Sequence, residues 1–255
     1  MEAKTSAVLI QPGETSEFSD PEQMQDLCKA MNRFLLCYNL GMDQVNTKIN
    51  TLKQEFQHIH EYNPIEHVKW RLKTPESILK KVRRRGCPWS FAAIRENVRD
   101  IAGIRITCSF VSDIYRVAGM LMQQPDLEVV EYKDYIEQPK YNGYRSLHII
   151  LKVPVYMSDH TERVYVEVQI RTIAMDFWAS LEHKIYYKFQ DGQDIPHSLH
   201  ADLKEAAEAM TILDEKMERI HKEMQQLRLA GWNDDKPLLS ADLSRLLINA
   251  QYPSV

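Results

Sequence analysis

One acidic residue, Glu167, lies within a stretch that otherwise has the pattern of a β-strand. In RVYVEVQIRT, residues 163–172, three valines and an isoleucine alternate with polar or aromatic side chains. A period of two predicts a strand with one face on the protein core and the other turned away from it. That second face carries Glu167, Gln169 and Arg171. A solvated surface and a functional site both account for this pattern, and the segment alone leaves the two interpretations open.

Two further predicted strands have polar faces of the same kind. In RDIAGIRITCSF, residues 99–110, Arg105 lies opposite an apolar face. In YRSLHIILKVPVY, residues 144–156, Tyr144 and His148 lie opposite another. We expect these strands to be neighbours that present their polar faces on one side of one sheet. The result would be a groove lined by cations, an aromatic ring and a carboxylate.

A second acidic residue, Asp100, precedes the first of these strands, where a turn can direct it towards the same groove. Two carboxylates, Asp100 and Glu167, among many cations suit a phosphate substrate that is bound together with Mg²⁺. This ion takes one or two protein carboxylates and completes its shell with water and phosphate oxygens. The pattern therefore predicts Mg²⁺ as the cofactor and a phosphorylated substrate.

A basic segment precedes the first strand. Between Lys69 and Arg85 the sequence has eight Lys or Arg residues and one acid, in a chain with a net charge of −4. Arg71 and Lys73 lie on an extended stretch, close enough to meet a ligand, whereas the run 83–85 is typical of a solvated face. The sequence has neither GxxxxGK nor GxGxxG, so phosphates would be held by side chains.

Composition excludes several other classes of protein. The chain has 255 residues, of which 44% are hydrophobic and 27% charged, as in an ordinary soluble protein. Its acidic balance argues against a general nucleic-acid coat. The four cysteines form no CxxC pair, which indicates reduced thiols and a cytoplasmic location. No apolar run is long enough for a membrane span, and the first twenty residues lack the features of a signal peptide.

The order of the elements predicts an α/β (α+β) fold. Helical patterns extend from about Pro21 to His60 and from Pro75 to a stop at Gly86, with Thr74 as the N-cap. The last helix has apolar residues at alternating spacings of four and three. We expect a mixed central sheet of about five strands, flanked by helices and by long N- and C-terminal helices.

At this point the residues resemble a known family. RDIAGIRITCSF, DYIEQPKYNGYRSLH and VEVQIRTIAMDFWASLEHKIYYK are similar to the synthetase domain of the RelA/SpoT alarmone enzymes. NPIEHVKWRLK, the Gly86-Cys87 pair and the last of these stretches resemble the RelP branch of the stand-alone small alarmone synthetases. The resemblance extends from about Asn63 to Lys188. It implies a nucleotidyltransferase-like fold and transfer of pyrophosphate from ATP to the 3′-hydroxyl of GDP or GTP, which gives AMP and ppGpp or pppGpp in the stringent response.

The resemblance also implies roles for residues of this sequence. Glu167 matches the general base, Asp100 matches the Mg²⁺-binding aspartate, and Glu167 is the second expected metal ligand. On the ATP side, Arg71 and Arg105 match the two arginines that sandwich adenine. The contacts to the triphosphate are matched by Lys73, Ser77 and Lys81. The guanine-stacking tyrosine and its neighbours form the GDP/GTP side: Tyr144, Lys140, Asn142 and His148. Three further residues have supporting roles: Gln169, Arg171 and Glu182.

The sequence pattern and the resemblance together predict a division of the chain, and the resemblance supports a homotetramer as its assembly. The expected parts are a flexible tail (1–20), a helical region (21–62), the catalytic domain (63–190), an oligomerisation helix (197–230) and a second tail (231–255). The residues ahead of Asn63 contain no His-Asp pair and are too few for the hydrolase domain of larger relatives. We therefore expect a synthetase without hydrolase activity, which binds ATP and GDP or GTP and neither a membrane nor nucleic acid.

Two alternatives remain at this point. One is a toxin-like relative that pyrophosphorylates the 3′ end of tRNA. The intact acceptor motif around Tyr144 and the lack of a further basic patch beyond Arg85 argue against it. The other is an inactive relative that binds nucleotides or RNA through KKVRRR. Intact Asp100 and Glu167 argue against loss of catalysis, and an RNA-binding segment would need aromatic side chains among its cations.

Overall fold

Five strands and six helices form the part of the chain that the structure, a computed structural model, describes, which is residues 21–60, 62–188 and 197–229. The strands are β1 (Ile65–Leu72), β2 (Ala102–Cys108), β3 (Glu128–Asp134), β4 (Leu147–Tyr156) and β5 (Thr161–Thr172). The helices are α1 (Pro21–Ile59), α2 (Pro75–Arg85), α3 (Phe91–Asn97), α4 (Val111–Met122), α5 (Ile173–Lys188) and α6 (His197–Leu229). The tails predicted at 1–20 and 231–255 lie outside the described residues.

All five strands belong to one sheet with the order β1-β2-β5-β4-β3. The central strands β2 and β5 are parallel, and the other neighbouring pairs are antiparallel. A parallel pair needs a crossover connection, and the chain between β2 and β5 supplies it with α4, β3 and β4. This mixed five-stranded sheet, with long helices at both ends of the described chain, confirms the predicted fold class.

The apolar faces of the central strands form the main core. Ile104, Ile149 and Val168 are at most 1% exposed and pack in one cluster with residues of α1 and α4. α1 crosses the sheet closely at Gly41, where an added Cβ would collide with the side chain of Val164. Burial of these alternating side chains fixes the register, because a slip of one residue would exchange the two faces of a strand.

The first turns of α1 contribute little to the core. The sequence places Met24 and Leu27 on the same apolar stripe as Phe34, yet they are 44% and 38% exposed, whereas Phe34 is buried. The buried residues of α1 begin at Phe34 and continue to Phe56. A stripe along a helix shows which face is apolar, but it does not show where the supporting sheet ends.

Local signals place α2 and α3 ahead of the central strands. Thr74 caps α2, as predicted, by accepting a hydrogen bond from the backbone of Ser77, and Gly86 ends it with φ of 63°. α3 was not predicted, because its seven residues span too few turns to show a helical period. Its N-cap is Ser90, whose hydroxyl accepts a hydrogen bond from the backbone of Ala93.

α5 and α6 complete the surroundings of the polar face. α5 begins directly after β5, where the Thr172 hydroxyl accepts a hydrogen bond from the backbone of Met175. Trp178 of α5 donates from Nε1 to the carbonyl of Leu203 on α6, at 2.9 Å. Residues up to Glu215 form one compact unit, and the part of α6 from Lys216 belongs to a second unit. No helix within the described ranges is both long enough and apolar enough to cross a membrane.

Candidate active site

Cross-strand rows of residues form the face of the sheet opposite the main core. The first row consists of Arg71, Gly103, Glu167 and Ile150. The second row consists of Lys69, Arg105, Gln169, His148 and Lys133. Thr107 and Arg171 are neighbours in a third row. The prediction that three polar strand faces lie side by side is therefore confirmed, except that Tyr144 precedes β4, which begins at Leu147.

Glu167 lies at the centre of this face, with a side chain that is 20% exposed. Its Oε1 is 3.3 Å from Nδ1 of His148, and its Oε2 accepts a hydrogen bond from Nε2 of Gln169 at 3.0 Å. Burial by itself raises the pKa of Glu167, but the hydrogen bonds from His148 and Gln169 place that pKa below its usual value. Glu167 is therefore ionised at neutral pH and able to accept a proton.

His148 connects Glu167 to Tyr144. Burial lowers the pKa of His148, and the positive charges of Arg171 and Lys140 act in the same direction. A neutral imidazole that donates from Nδ1 to Glu167 has Nε2 left as an acceptor. The Tyr144 hydroxyl lies 2.8 Å from this Nε2 and donates to it. These two partners assign the tautomer of His148.

Arg171 contacts both sides of this arrangement from a buried position, with a side chain that is 4% exposed. Its Nη2 donates to the Tyr144 hydroxyl at 2.5 Å and to Oε1 of Gln169 at 2.7 Å. Two chains of hydrogen bonds thus lead from Arg171 to Glu167, one through Tyr144 and His148 and the other through Gln169. Side chains held in this way keep one orientation, which a general base requires.

Asp100 lies at the amino end of β2 between two lysines. Its Oδ2 accepts hydrogen bonds from Nζ of Lys73 at 2.7 Å and from Nζ of Lys81 at 2.5 Å. Burial raises the pKa of Asp100, but the two ammonium groups outweigh burial and lower it. The other oxygen, Oδ1, is buried and has no hydrogen-bond partner among the described residues. The charge of Asp100 also raises the pKa of Glu167, so the two carboxylates act on one another.

Comparisons with known proteins show which family the chain belongs to. A family model described as "Region found in RelA / SpoT proteins" matches residues 70–192. The GTP pyrophosphokinases YwaC and YjbM of Bacillus subtilis are 52% and 38% identical to the chain, over 79% of it and over 96% and 93% of their own lengths. The chain belongs to the RelA/SpoT family of small alarmone synthetases. The resemblance found in the sequence motifs is confirmed.

Solved structures of small alarmone synthetases share this fold. The small alarmone synthetase 2 from Bacillus subtilis has a TM-score of 0.69 and 51% identity, with 76% of this chain and 98% of that chain covered. The small alarmone synthetase 1 from the same organism, bound to its product pppGpp, has a TM-score of 0.71 and 38% identity, with 77% and 99% covered. The chain thus spans nearly the whole length of these relatives.

The loop between β3 and β4 carries the residues expected to bind the guanosine substrate. Asn142 donates from Nδ2 to Oε1 of Glu182 at 3.1 Å, so two predicted site residues meet directly. The ammonium of Lys140 lies 4.7 Å from the centres of the Tyr144 and Tyr135 rings. A base can therefore stack on this side of Tyr144 only if Lys140 moves away from the ring.

Two predicted ATP-side residues stand apart from this network. The side chain of Arg71 is exposed and makes no hydrogen bond or ion pair within the described ranges, although it shares a row with Glu167. The hydroxyl of Ser77 bonds to Thr74 at the exposed start of α2. Their positions beside Lys73 leave them accessible to a ligand, and their assigned roles stay predictions.

Two members of the site were missed by the sequence analysis. Tyr135 makes edge-on contacts with the rings of Tyr144 and His148, at 6.0 and 5.1 Å between ring centres. Asp176 accepts from two arginines, with its Oδ1 3.1 Å from Nη1 of Arg105 and 3.3 Å from Nη1 of Arg171. An acid in the first turn of the helix that directly follows the Glu167 strand was the available signal for Asp176.

Proposed function

We propose that the chain is a (p)ppGpp synthetase that transfers pyrophosphate from ATP to the 3′-hydroxyl of GDP or GTP and acts in the stringent response. The observation that carries this proposal is the ionised Glu167, held by two hydrogen-bonded chains from Arg171 on a face rich in cations. The pyrophosphokinase activity in the names of the similar Bacillus proteins supports the same reaction.

The proposed reaction uses Glu167 as the general base. Its carboxylate takes the proton of the 3′-hydroxyl, whose oxygen forms a bond to the β-phosphorus of ATP. The bond from that phosphorus to the oxygen bridging the α- and β-phosphates breaks, and AMP leaves. A base in hydrogen-bond reach of the hydroxyl contributes about 10²- to 10⁴-fold in rate.

One carboxylate oxygen of Asp100 is available as a ligand for a Mg²⁺ ion. Its buried Oδ1 lacks a partner among the described side chains, and carboxylate oxygen is the ligand that this ion prefers. We propose Asp100 and Glu167 as the protein ligands. When bound, the ion would neutralise charge on the transferring phosphates.

The assigned cations divide between the two nucleotides. On the ATP side we propose that Lys73 and Lys81 contact the phosphates and that Arg105 and Arg71 stack on adenine, since planar guanidinium groups suit stacking. On the acceptor side we propose Tyr144 for the guanine base. Three neighbours would support the acceptor nucleotide: Lys140, Asn142 and His148.

We also propose a homotetramer and a cytoplasmic location. From Lys216 onward, α6 exposes apolar side chains at spacings of three and four, namely Met217, Ile220, Met224 and Leu227, each 41–46% exposed. Such a row is typical of an interface between helices. Light scattering at micromolar concentration should give four times the 29.9 kDa monomer mass. Met217→Lys combined with Met224→Glu should reduce that mass, and a monomeric unaltered chain would refute the assembly.

One assay tests the reaction. Purified protein is incubated with ATP, Mg²⁺ and either GDP or GTP, and the nucleotides are separated by anion exchange. We expect AMP in equal amount to ppGpp or pppGpp, and product formation that is about 10²- to 10⁴-fold slower from Glu167→Gln. A parallel incubation with tRNA tests the toxin-like alternative. Modified tRNA without free alarmone, or nucleotide binding without turnover, would overturn the proposal.

A further inference from the structure

Asp176 is the one carboxylate within contact of both Arg105 and Arg171 in the described part of the chain, and the proposed reaction does not use it. It lies in the first turn of α5, four residues after the end of β5. Its side chain is 14% exposed. One oxygen, Oδ1, makes both ion pairs, at 3.1 Å to Arg105 and 3.3 Å to Arg171.

The two arginines need the carboxylate of Asp176 because their positive charges repel one another. Burial lowers the pKa of Arg171, the charge of Arg105 lowers it further, and the charge of Asp176 raises it. A buried guanidinium without a counter-charge is costly. Arg105 also depends on Asp176. The carboxylate pairs with Nη1 of Arg105, whereas Nε of Arg105 is buried without a hydrogen-bond partner among the described residues.

The arginines also lead to different parts of the site. Arg105 is in the row beside Lys69, on the side proposed for ATP. Arg171 donates to Tyr144 and Gln169, on the side of the acceptor and the base. A single carboxylate oxygen therefore joins the arginine of one nucleotide subsite to that of the other.

We propose that Asp176 is a positioning residue that both nucleotide subsites share, holding Arg105 for the donor and Arg171 for the acceptor. This inference rests on the proposed function, which defines the two subsites. Asp176 itself touches neither substrate. Its loss releases Arg105 and leaves Arg171 facing an unbalanced positive charge, so both nucleotides bind less well.

The test compares Asp176→Asn, Asp176→Glu and Asp214→Asn. Asp214 is a matched control, because it is a buried carboxylate that accepts from the Thr172 hydroxyl at the start of α5. We expect Asp176→Asn to raise KM for ATP and KM for GDP, each by about tenfold, the scale of a lost charge-assisted contact. Asp176→Glu should recover part of both values. Asp214→Asn should lower Tm and leave both KM values unchanged.

A double-mutant cycle adds a readout that a structural role alone would not change. Arg105→Lys should raise KM for ATP only, and its effect should be non-additive with that of Asp176→Asn. Calorimetric binding of a non-hydrolysable ATP analogue should show the same weakening without turnover. If Asp176→Asn and Asp214→Asn lower Tm alike and neither changes KM or binding, the inference is wrong. An unaltered chain that binds the analogue and forms no alarmone would contradict the proposed function instead.

Discussion

Gly143 lies at the point where the acceptor loop meets α6, and its replacement by alanine should damage one substrate site selectively. Its φ is +85°, a left-handed conformation that costs a residue with a Cβ about 1–2 kcal/mol. An added Cβ would also lie 2.5 Å from Cβ of Ala207. Overpacking of this kind costs about 1–3 kcal/mol. Gly143→Ala should therefore destabilise the packing of the β3–β4 loop against α6 by roughly 2–5 kcal/mol.

The loop can relieve this strain by moving off α6, and the expected result is weaker acceptor binding. The Gly143 backbone N–H donates to the carbonyl of Lys140, and the Asn142 side chain accepts from the backbone of Tyr144. These bonds place the residues proposed to bind guanosine. We expect KM for GDP to rise by at least about tenfold, with KM for ATP changed less than threefold, because a loss of about 1.4 kcal/mol is tenfold.

Gly86 supplies the matched control. It also has a positive φ, +63°, but an added Cβ would meet nothing within 4 Å. Gly86→Ala should cost only the conformational part, about 1–2 kcal/mol, and leave both KM values unchanged. The double variant Gly143→Ala with Ala207→Gly removes the collision and should recover acceptor binding. Its free energy of unfolding should still be lower by about 1 kcal/mol, because a glycine then lies within a helix. The reasoning would be refuted if urea unfolding gave equal losses of unfolding free energy for Gly143→Ala and Gly86→Ala, and if Ala207→Gly did not restore acceptor binding.

Three further outcomes are expected. Glu167→Gln should retain ATP affinity by calorimetry and lose about 10²- to 10⁴-fold in kcat, and more than a tenth of the activity remaining would exclude it as the base. Tyr144→Ala should raise KM for GDP by an amount worth about 1–3 kcal/mol, and equal effects on ATP would indicate a packing role instead. Because burial lowers the folded-state pKa of His148 below 6.5, the unfolded chain binds this proton more readily, and the unfolding free energy should rise with pH up to about that value. Urea titrations between about pH 5 and 8 check this, and His148→Gln should flatten the rise.

Much of the fold was predictable because alternation in a strand is a local property. The runs around Arg105, His148 and Glu167 each showed which side chains share a face, and the structure has those faces side by side. The capping residues Thr74 and Gly86 were predictable for the same reason, since each acts on the turn next to it. Signals within a few residues in sequence therefore determined most of the elements.

The contacts that complete the site could not be predicted in this way. The two ion pairs of Asp176 depend on how α5 leaves β5 and lies over the neighbouring strands. The close approach of Gly143 to Ala207, which leaves no room for a Cβ at residue 143, involves residues more than sixty positions apart, on a loop and a later helix. Neither arrangement follows from alternation or from a cap, because both depend on the packing of whole elements.

The cations proposed to bind phosphate are already paired inside the protein. Lys73 and Lys81 donate to Asp100, and Lys140 lies against two aromatic rings. Partial burial of Lys81 lowers its pKa, whereas its hydrogen bond to Asp100 raises it, so part of the cost of desolvation is met before a nucleotide arrives. Binding then exchanges one anionic partner for another rather than removing a free cation from water. Asp100→Asn should consequently weaken the ion pairs that hold the side chains of Lys73 and Lys81 in the site. The two lysines expected to contact ATP therefore depend for their position on Asp100, the residue expected to bind Mg²⁺.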